Sequence, residues 1–587
     1  MISTKLSIII LLTSICICTI QTIGYAAARP TMSNSQLEYS FDIWDWTAPA
    51  KDLVLFDKWA GDLKSIGVTR MEISAPWNQL EPEPEKIDLS YIRDRLDICK
   101  KHGLGLRVRI NSYYAGCTPA WYDGNLWQDS SGGVPMAIPS IADERFWAHY
   151  EPLCTAIARE FRGDDILYSA FIGVHAELKY SDWWSYDPAH LKLWREAILR
   201  PRPEWLARVV GDDVELPEIP PVPGITHGKP DTSPQNLAVI AFREHCWRKA
   251  IERFTNALRK GDQHVKISSP LGESYRRGSA QMSNLDYRGL TRGSNQVIHS
   301  YDFFWHPGST ASWHHQAVLD SFRGITGLPV NLEFDSLQTI RQMGYTDRIT
   351  CRMIQSILES GSGIKVANMS YVQELRSKFL PLRFAGEQLA SGKYKLSAPV
   401  EPKNMVLLFF SKWANYCYRE ETDWLHDAQF GFWKLLRDMD IPVRVICEDN
   451  LGEDLSKYRG IILAFSPLDL MPSADRDAIL RLRIPIIADV SGTPTIRPEE
   501  RISLKGEPGE LVIETGMPCD SIQDLSKLPI EGRPGMQGVD LPFMMYDRKS
   551  FVMGFPLGWH YLHGADQMHC RELMKYAMRK AGVRGIK

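Results

Sequence analysis

The segment Gly67-Val68-Thr69-Arg70-Met71-Glu72-Ile73-Ser74 lies between two stretches of helical periodicity, Leu53–Ile66 and Leu89–His102, and reads as one strand between two amphipathic helices. The same alternation runs from Leu37 to about Val372. Candidate strands are Glu38–Ile43, Arg70–Ser74, Gly105–Ile110, Leu167–Val174, Val265–Ser269, Gln296–Tyr301, Pro329–Phe334 and Gly363–Met369. Helical segments such as Arg145–Phe161, Leu237–Lys260, Trp313–Gly324 and Asp347–Ser360 separate them. Regular β/α alternation predicts a parallel sheet, and eight strands predict closure into a (β/α)8 TIM barrel over residues 37–385. An open doubly wound sheet would show the same alternation, but the roughly 340-residue length favours the barrel. An insertion near residues 179–236 follows the fourth strand. Its Pro-rich run Val214–Gly224 cannot be continuous helix.

From Asn404 the pattern restarts. Met405–Ser411, Val443–Glu448, Gly460–Phe465 and Ile484–Val490 read as buried parallel strands, and Phe551–Phe555 with the helix Met568–Ala581 returns to that pattern at the end. A flavodoxin-like α/β domain over residues 403–587 is expected, with an irregular, Gly/Pro-rich excursion near 500–541. It carries no Gly-rich phosphate loop. Ser466-Pro467-Leu468 follows Phe465 where a cysteine nucleophile would sit on a strand-to-helix elbow, so a structural or oligomerising role is expected.

Lys5, the apolar run Leu6–Ile20 and Ala26-Ala27-Ala28 form a secretory signal pattern over residues 1–28, and the run is short for a membrane span. Secreted or periplasmic placement follows, without a membrane partner after cleavage. The nine cysteines beyond it are scattered and include no CxxC pair, so most are read as buried small apolar residues. The formal net charge of −3, with no long run of one sign, argues against a nucleic-acid partner. His314-His315 has no partner at metal-ligand spacing, and neither metal nor cofactor is expected.

In a barrel, chemistry belongs at the C-terminal ends of the strands. Glu177 follows Phe171-Ile172-Gly173-Val174-His175-Ala176 at the end of strand four. Glu333 closes strand seven in Leu328-Pro329-Val330-Asn331-Leu332-Glu333. Two carboxyl groups converging over the mouth suit glycoside hydrolysis, one donating a proton to the leaving oxygen and the other attacking the anomeric carbon. Either Glu could instead sit in an ordinary ion pair, and Glu273 is the replacement if one assignment fails. Asp302 and Asp335 read as solvated loop carboxylates. Among Trp44, Trp46, Trp77, Trp183, Trp184 and Trp305, all near strand ends, two or three are expected to line a sugar subsite.

The longer segment Gly67–Pro84, with Trp77 and Leu80-Glu81-Pro82, followed by Ile87-Asp88-Leu89 and by Pro119-Ala120-Trp121, resembles glycoside hydrolase clan A, and within it the family 42 β-galactosidases. The resemblance implies Glu177 as acid/base, Glu333 as nucleophile, and Tyr301 as the aromatic residue that hydrogen-bonds the nucleophile. It implies an arginine beside the nucleophile, for which Arg70 and Arg109 both stand. It also implies a retaining, exo-acting β-glycosidase with a carbohydrate substrate, β-galactoside first and β-mannoside behind it, assembled as a homotrimer; the signal pattern makes it a secreted one. Ala176 stands where the clan has Asn, so His175 or Asn331 is expected to take over the sugar contact. Two other readings remain open. Ala176-Glu177-Leu178-Lys179-Tyr180 resembles the acid segment of the inverting β-amylases, and Ala176 also fits a barrel that binds glycans without turnover.

Overall fold

The computed structural model describes residues 37–43, 47–112, 116–134, 137–171, 185–222, 230–271, 286–301, 312–334, 346–368, 380–394, 402–418, 423–466, 468–489, 501–505, 512–515, 543–546, 550–553, 557–563 and 567–585. The signal pattern, Trp44, His175, Glu177, Glu273, Trp305 and part of the insertion lie outside the described residues.

Eight parallel strands close on themselves in sequence order: β1 (Tyr39–Ile43), β2 (Arg70–Pro76), β3 (Gly105–Asn111), β4 (Ile166–Phe171), β5 (Lys266–Leu271), β6 (Gln296–Tyr301), β7 (Val330–Phe334) and β8 (Gly363–Asn368). β1 pairs with β8 to complete the (β/α)8 barrel. Alternate residues of β1 to β3 explain the layering. Tyr39, Phe41, Met71, Ile73, Leu106 and Val108 are buried in the apolar core shared with the surrounding helices. The helix Leu53–Ser65 shows the complementary logic. Asp52 caps it by accepting from the Val54 and Leu55 amides, and Phe56, Trp59, Ala60 and Leu63 form its buried face.

The second sheet has eight strands. Five are parallel: β9 (Val406–Phe409), β10 (Val443–Ile446), β11 (Ile461–Leu463), β12 (Ile486–Ala488) and β16 (Ser550–Met553), in the order β10-β9-β11-β12-β16. Counted along the chain this is 2-1-3-4-5, the flavodoxin-like order. The excursion read as irregular contains two further strands, β13 (Arg501–Lys505) and β14 (Val512–Thr515), and β15 (Phe543–Tyr546) follows it; the three extend the sheet antiparallel beyond β16.

The barrel helix Ser312–Thr326 packs on β10. Gly324 sits so close that an added Cβ would lie 2.3 Å from the Val445 carbonyl oxygen. Arg444 Nε donates to the Gly324 carbonyl, and Asn450 Nδ2 donates to that of Ile325. His314 packs edge-on against Phe430. Of the eight described cysteines, all but Cys351 are buried.

Candidate active site

A buried strand flanked by helices usually reads as a continuous apolar run. β2 and β3 do not. Arg70, Glu72 and Ser74 alternate with apolar residues in one, and Arg107, Arg109 and Asn111 do so in the other. The strand period of two sends each set to a single side, and their bonds skip across strands, which only the barrel interior permits. Lys365 of β8 reaches Glu72 of β2, past β1. Asn331 of β7 reaches Glu38 at the foot of β1. The barrel lumen therefore holds charges in place of the branched apolar layers common in this fold.

The lower tier is built on Glu38, which pairs with Arg107 and with Arg70 at 3.2 Å. Asn331 Nδ2 donates to Glu38 Oε1 at 3.1 Å, and a Cβ at Gly363 would fall 2.2 Å from the Asn331 oxygen. The middle tier is Glu72, which accepts from Arg107 at 2.9 Å, Lys365 at 3.1 Å and Arg109. Asp42 joins it through Arg109 at 2.7 Å and Lys365 at 3.4 Å. At the top, Lys365 Nζ lies 2.6 Å from Glu333 Oε2. The two residues are direct partners across the β7–β8 ladder. Lys365 is sealed from solvent, whereas the Glu333 side chain is 13% exposed. Glu333 is thus the outward end of the network.

Burial and neighbouring charge oppose each other throughout. Burial works to raise the Glu72 carboxyl, but Lys365, Arg109 and Arg107 outweigh it and hold the group well below the usual carboxylate range. Burial wins at Asp42, assisted by Glu72 and Glu333 against Arg109 and Lys365, and pushes it up to about 6. Desolvation pulls Lys365 down, yet Glu333, Glu72 and Asp42 together carry it above its ordinary value.

The expected site residues separate in the structure. Glu333 stands at the C-terminal end of β7, facing Ser300 of β6 and Lys365 of β8 in the ladder. Tyr301, the next residue of β6, pairs with Phe334, and its side chain is not described. Arg109 belongs to the charge network below Glu333. Arg70 does not approach it: as the first residue of β2 it pairs with Glu38 and with Asp165 ahead of β4, at the opposite rim. Asn331 lies a full strand repeat deeper than Glu333, where Glu38 holds it away from any sugar contact.

Trp77, expected near a sugar, is fully buried. It packs edge-on against Trp121, Tyr122, Phe146 and Tyr150, and its indole donates to Glu81. Glu81 also engages His149 and, through its carbonyl, Trp121. The Leu80-Glu81-Pro82 motif therefore fastens the loops after β2 and β3 together. Lys365, Asp42, Glu72 and Arg107 were missed by the sequence reading. For Asp42, Glu72 and Arg107 the signal was present as polar residues alternating with apolar ones inside strands that the fold buries on both faces.

No family model matches the sequence, and no curated protein matches it. Solved structures match its fold along most of the chain. The β-galactosidase from Rahnella sp. R3 superposes with a TM-score of 0.65 at 11% identity, covering 94% of this chain and 89% of that one. The enzyme from Bacillus circulans sp. alkalophilus gives 0.63 at 12%, with 94% and 89% covered. That from the psychrophilic Marinomonas ef1 gives 0.61 at 12%, with 93% and 92% covered. At these identities the likeness is one of fold.

Proposed function

We propose that this chain is a secreted retaining β-glycosidase, acting first on β-galactosides, with Glu333 as nucleophile and Glu177 as acid/base. The observation that carries the reading is the Glu333 carboxylate at the barrel mouth, 2.6 Å from a buried ammonium and partly open to solvent. The fold it shares with β-galactosidases of three organisms supports the sugar class. In the first step Glu333 attacks the anomeric carbon as the bond from that carbon to the leaving oxygen breaks, and Glu177 gives that oxygen a proton. In the second, Glu177 takes a proton from water, the water oxygen bonds to the anomeric carbon, and Glu333 departs as a carboxylate. Removal of residues 1–28 as a signal peptide and trimeric assembly through the second domain belong to the same proposal.

A panel of aryl β-glycosides tests it, with Glu333→Ala and Glu177→Ala as controls and the first-formed anomer followed by NMR. Turnover of the β-galactoside with retained configuration, lost in Glu333→Ala, is the expected result. An inert wild type, or an inverted first product, would overturn the reading.

A further inference from the structure

We propose that Lys365 is the positioning residue that holds the Glu333 carboxylate and aims it at the substrate, in the place where the sequence suggested an arginine. This rests on the glycosidase reading. Lys365 is the direct ladder partner of Glu333 and meets Oε2 at 2.6 Å.

The lysine is itself held from behind. An ammonium has three N–H donors. Three carboxylate oxygens lie within reach of Nζ: Glu333 Oε2 at 2.6 Å, Glu72 Oε1 at 3.1 Å and Asp42 Oδ2 at 3.4 Å. Glu72 and Asp42 are in turn fixed by Arg109, and Glu72 also by Arg107. These four are the charged groups of β1, β2 and β3 that bear on Lys365 among the described residues. A flexible stem would ordinarily let a lysine wander. Here the ammonium is clamped on the interior side, so its one bond toward the mouth is directional. The arrangement also explains why a charged interior persists: the acids below Lys365 fix the cation, and the cation fixes the anion above it.

A purely structural lysine would fill the same space and satisfy the same acids. The two roles separate in the pH dependence of kcat/KM for a dinitrophenyl β-galactoside, whose leaving group needs little protonation. The acid limb then reports the nucleophile. Taking away an adjacent cation raises a carboxyl pKa, so Lys365→Met should move that limb up by about one pH unit or more. Lys365→Arg should leave the limb near the wild-type position while lowering kcat, since a longer, planar cation keeps the charge but misplaces the carboxylate. Should Lys365→Met fail to fold, Lys365→Met with Glu72→Gln removes one cation and one anion together, and its limb should still rise. A folded variant lacking the lysine charge with the wild-type limb overturns the proposal while leaving the glycosidase reading intact. A wild type without turnover overturns both.

Discussion

Lys365 Nζ lies 3.1 Å from Glu72 Oε1 although β1 separates their strands, so this bond closes the interior of the barrel from β8 to β2. Glu72 is the anion on which three cations converge. Removing one partner of a buried ion network leaves the others uncompensated, typically at a cost of about 3–5 kcal/mol. Glu72→Gln is therefore expected to lower the unfolding free energy by that order in urea titration at pH 7. Glu83→Gln, which breaks only an exposed pair with Lys86, should cost about 1 kcal/mol or less. The folded pKa of Glu72 is depressed, so its contribution is present above the ordinary carboxylate pKa and fades as pH falls through the folded value. The gap between wild type and Glu72→Gln should accordingly narrow in acid. Equal stabilities at pH 7 would contradict the network as drawn.

Glu177→Ala should show its role through the leaving group. General acid catalysis contributes about 10²–10⁴-fold where the departing oxygen needs a proton. The variant should lose about that much kcat/KM on a methyl or natural β-glycoside and far less on the dinitrophenyl glycoside. Uniform loss across leaving groups would remove Glu177 from the acid role.

The strands were legible because each carries a clear period of two, and eight of them bounded by helical periodicity leave few closed architectures. The parallel strands of the second sheet were legible as short apolar runs between helical segments. Strands β13 to β15 were not, since Gly and Pro around short runs read as loop until β16 offers an edge to pair with. Glu333 was found from its place at a strand end. Lys365 was not, because Gly363–Asn368 carries only Lys365 and Asn368 as polar residues and lacks the alternation of charge that marks β2 and β3. Only ring closure puts Lys365 between Glu333 on one side and Asp42 and Glu72 on the other. Trp77 erred in the opposite direction: its strand-end position suggested a sugar platform, but Trp121, Tyr122 and Phe146 come from distant segments and bury it.

Gly324 tests how the barrel meets the second sheet. A methyl group there would press on the Val445 carbonyl oxygen at 2.3 Å and on its amide nitrogen at 2.9 Å, both rigid backbone. Overpacking of this kind costs about 1–3 kcal/mol. Gly324→Ala should lower the thermal midpoint accordingly, even though alanine favours helix by about 1 kcal/mol over glycine. An unchanged or raised midpoint would mean that this helix and the second sheet do not approach so closely in solution.

Glu448 sets the direction of the pH dependence at neutrality. It is buried beside the barrel contact of the second sheet, accepting from the Ser411 hydroxyl and, at 2.9 Å, from the Lys412 amide. Burial pushes its carboxyl up to about 8, with the two hydrogen bonds and the Lys412 charge only partly offsetting it. A carboxyl whose folded pKa exceeds its unfolded value holds more protons when folded. Its stabilising contribution is therefore complete below pH ~4.5 and is lost as pH rises toward ~8. In the Glu448→Gln variant the side-chain amide is an uncharged isostere of the protonated acid, able to accept from the Lys412 amide and donate to Ser411. Glu448→Gln should match wild type near pH 5 and exceed it at pH 8 by an amount on the order of a few kcal/mol. Urea titrations of both proteins at pH 5 and pH 8 check this. A stability difference that does not change between the two pH values would show that Glu448 is ionised in the folded protein throughout.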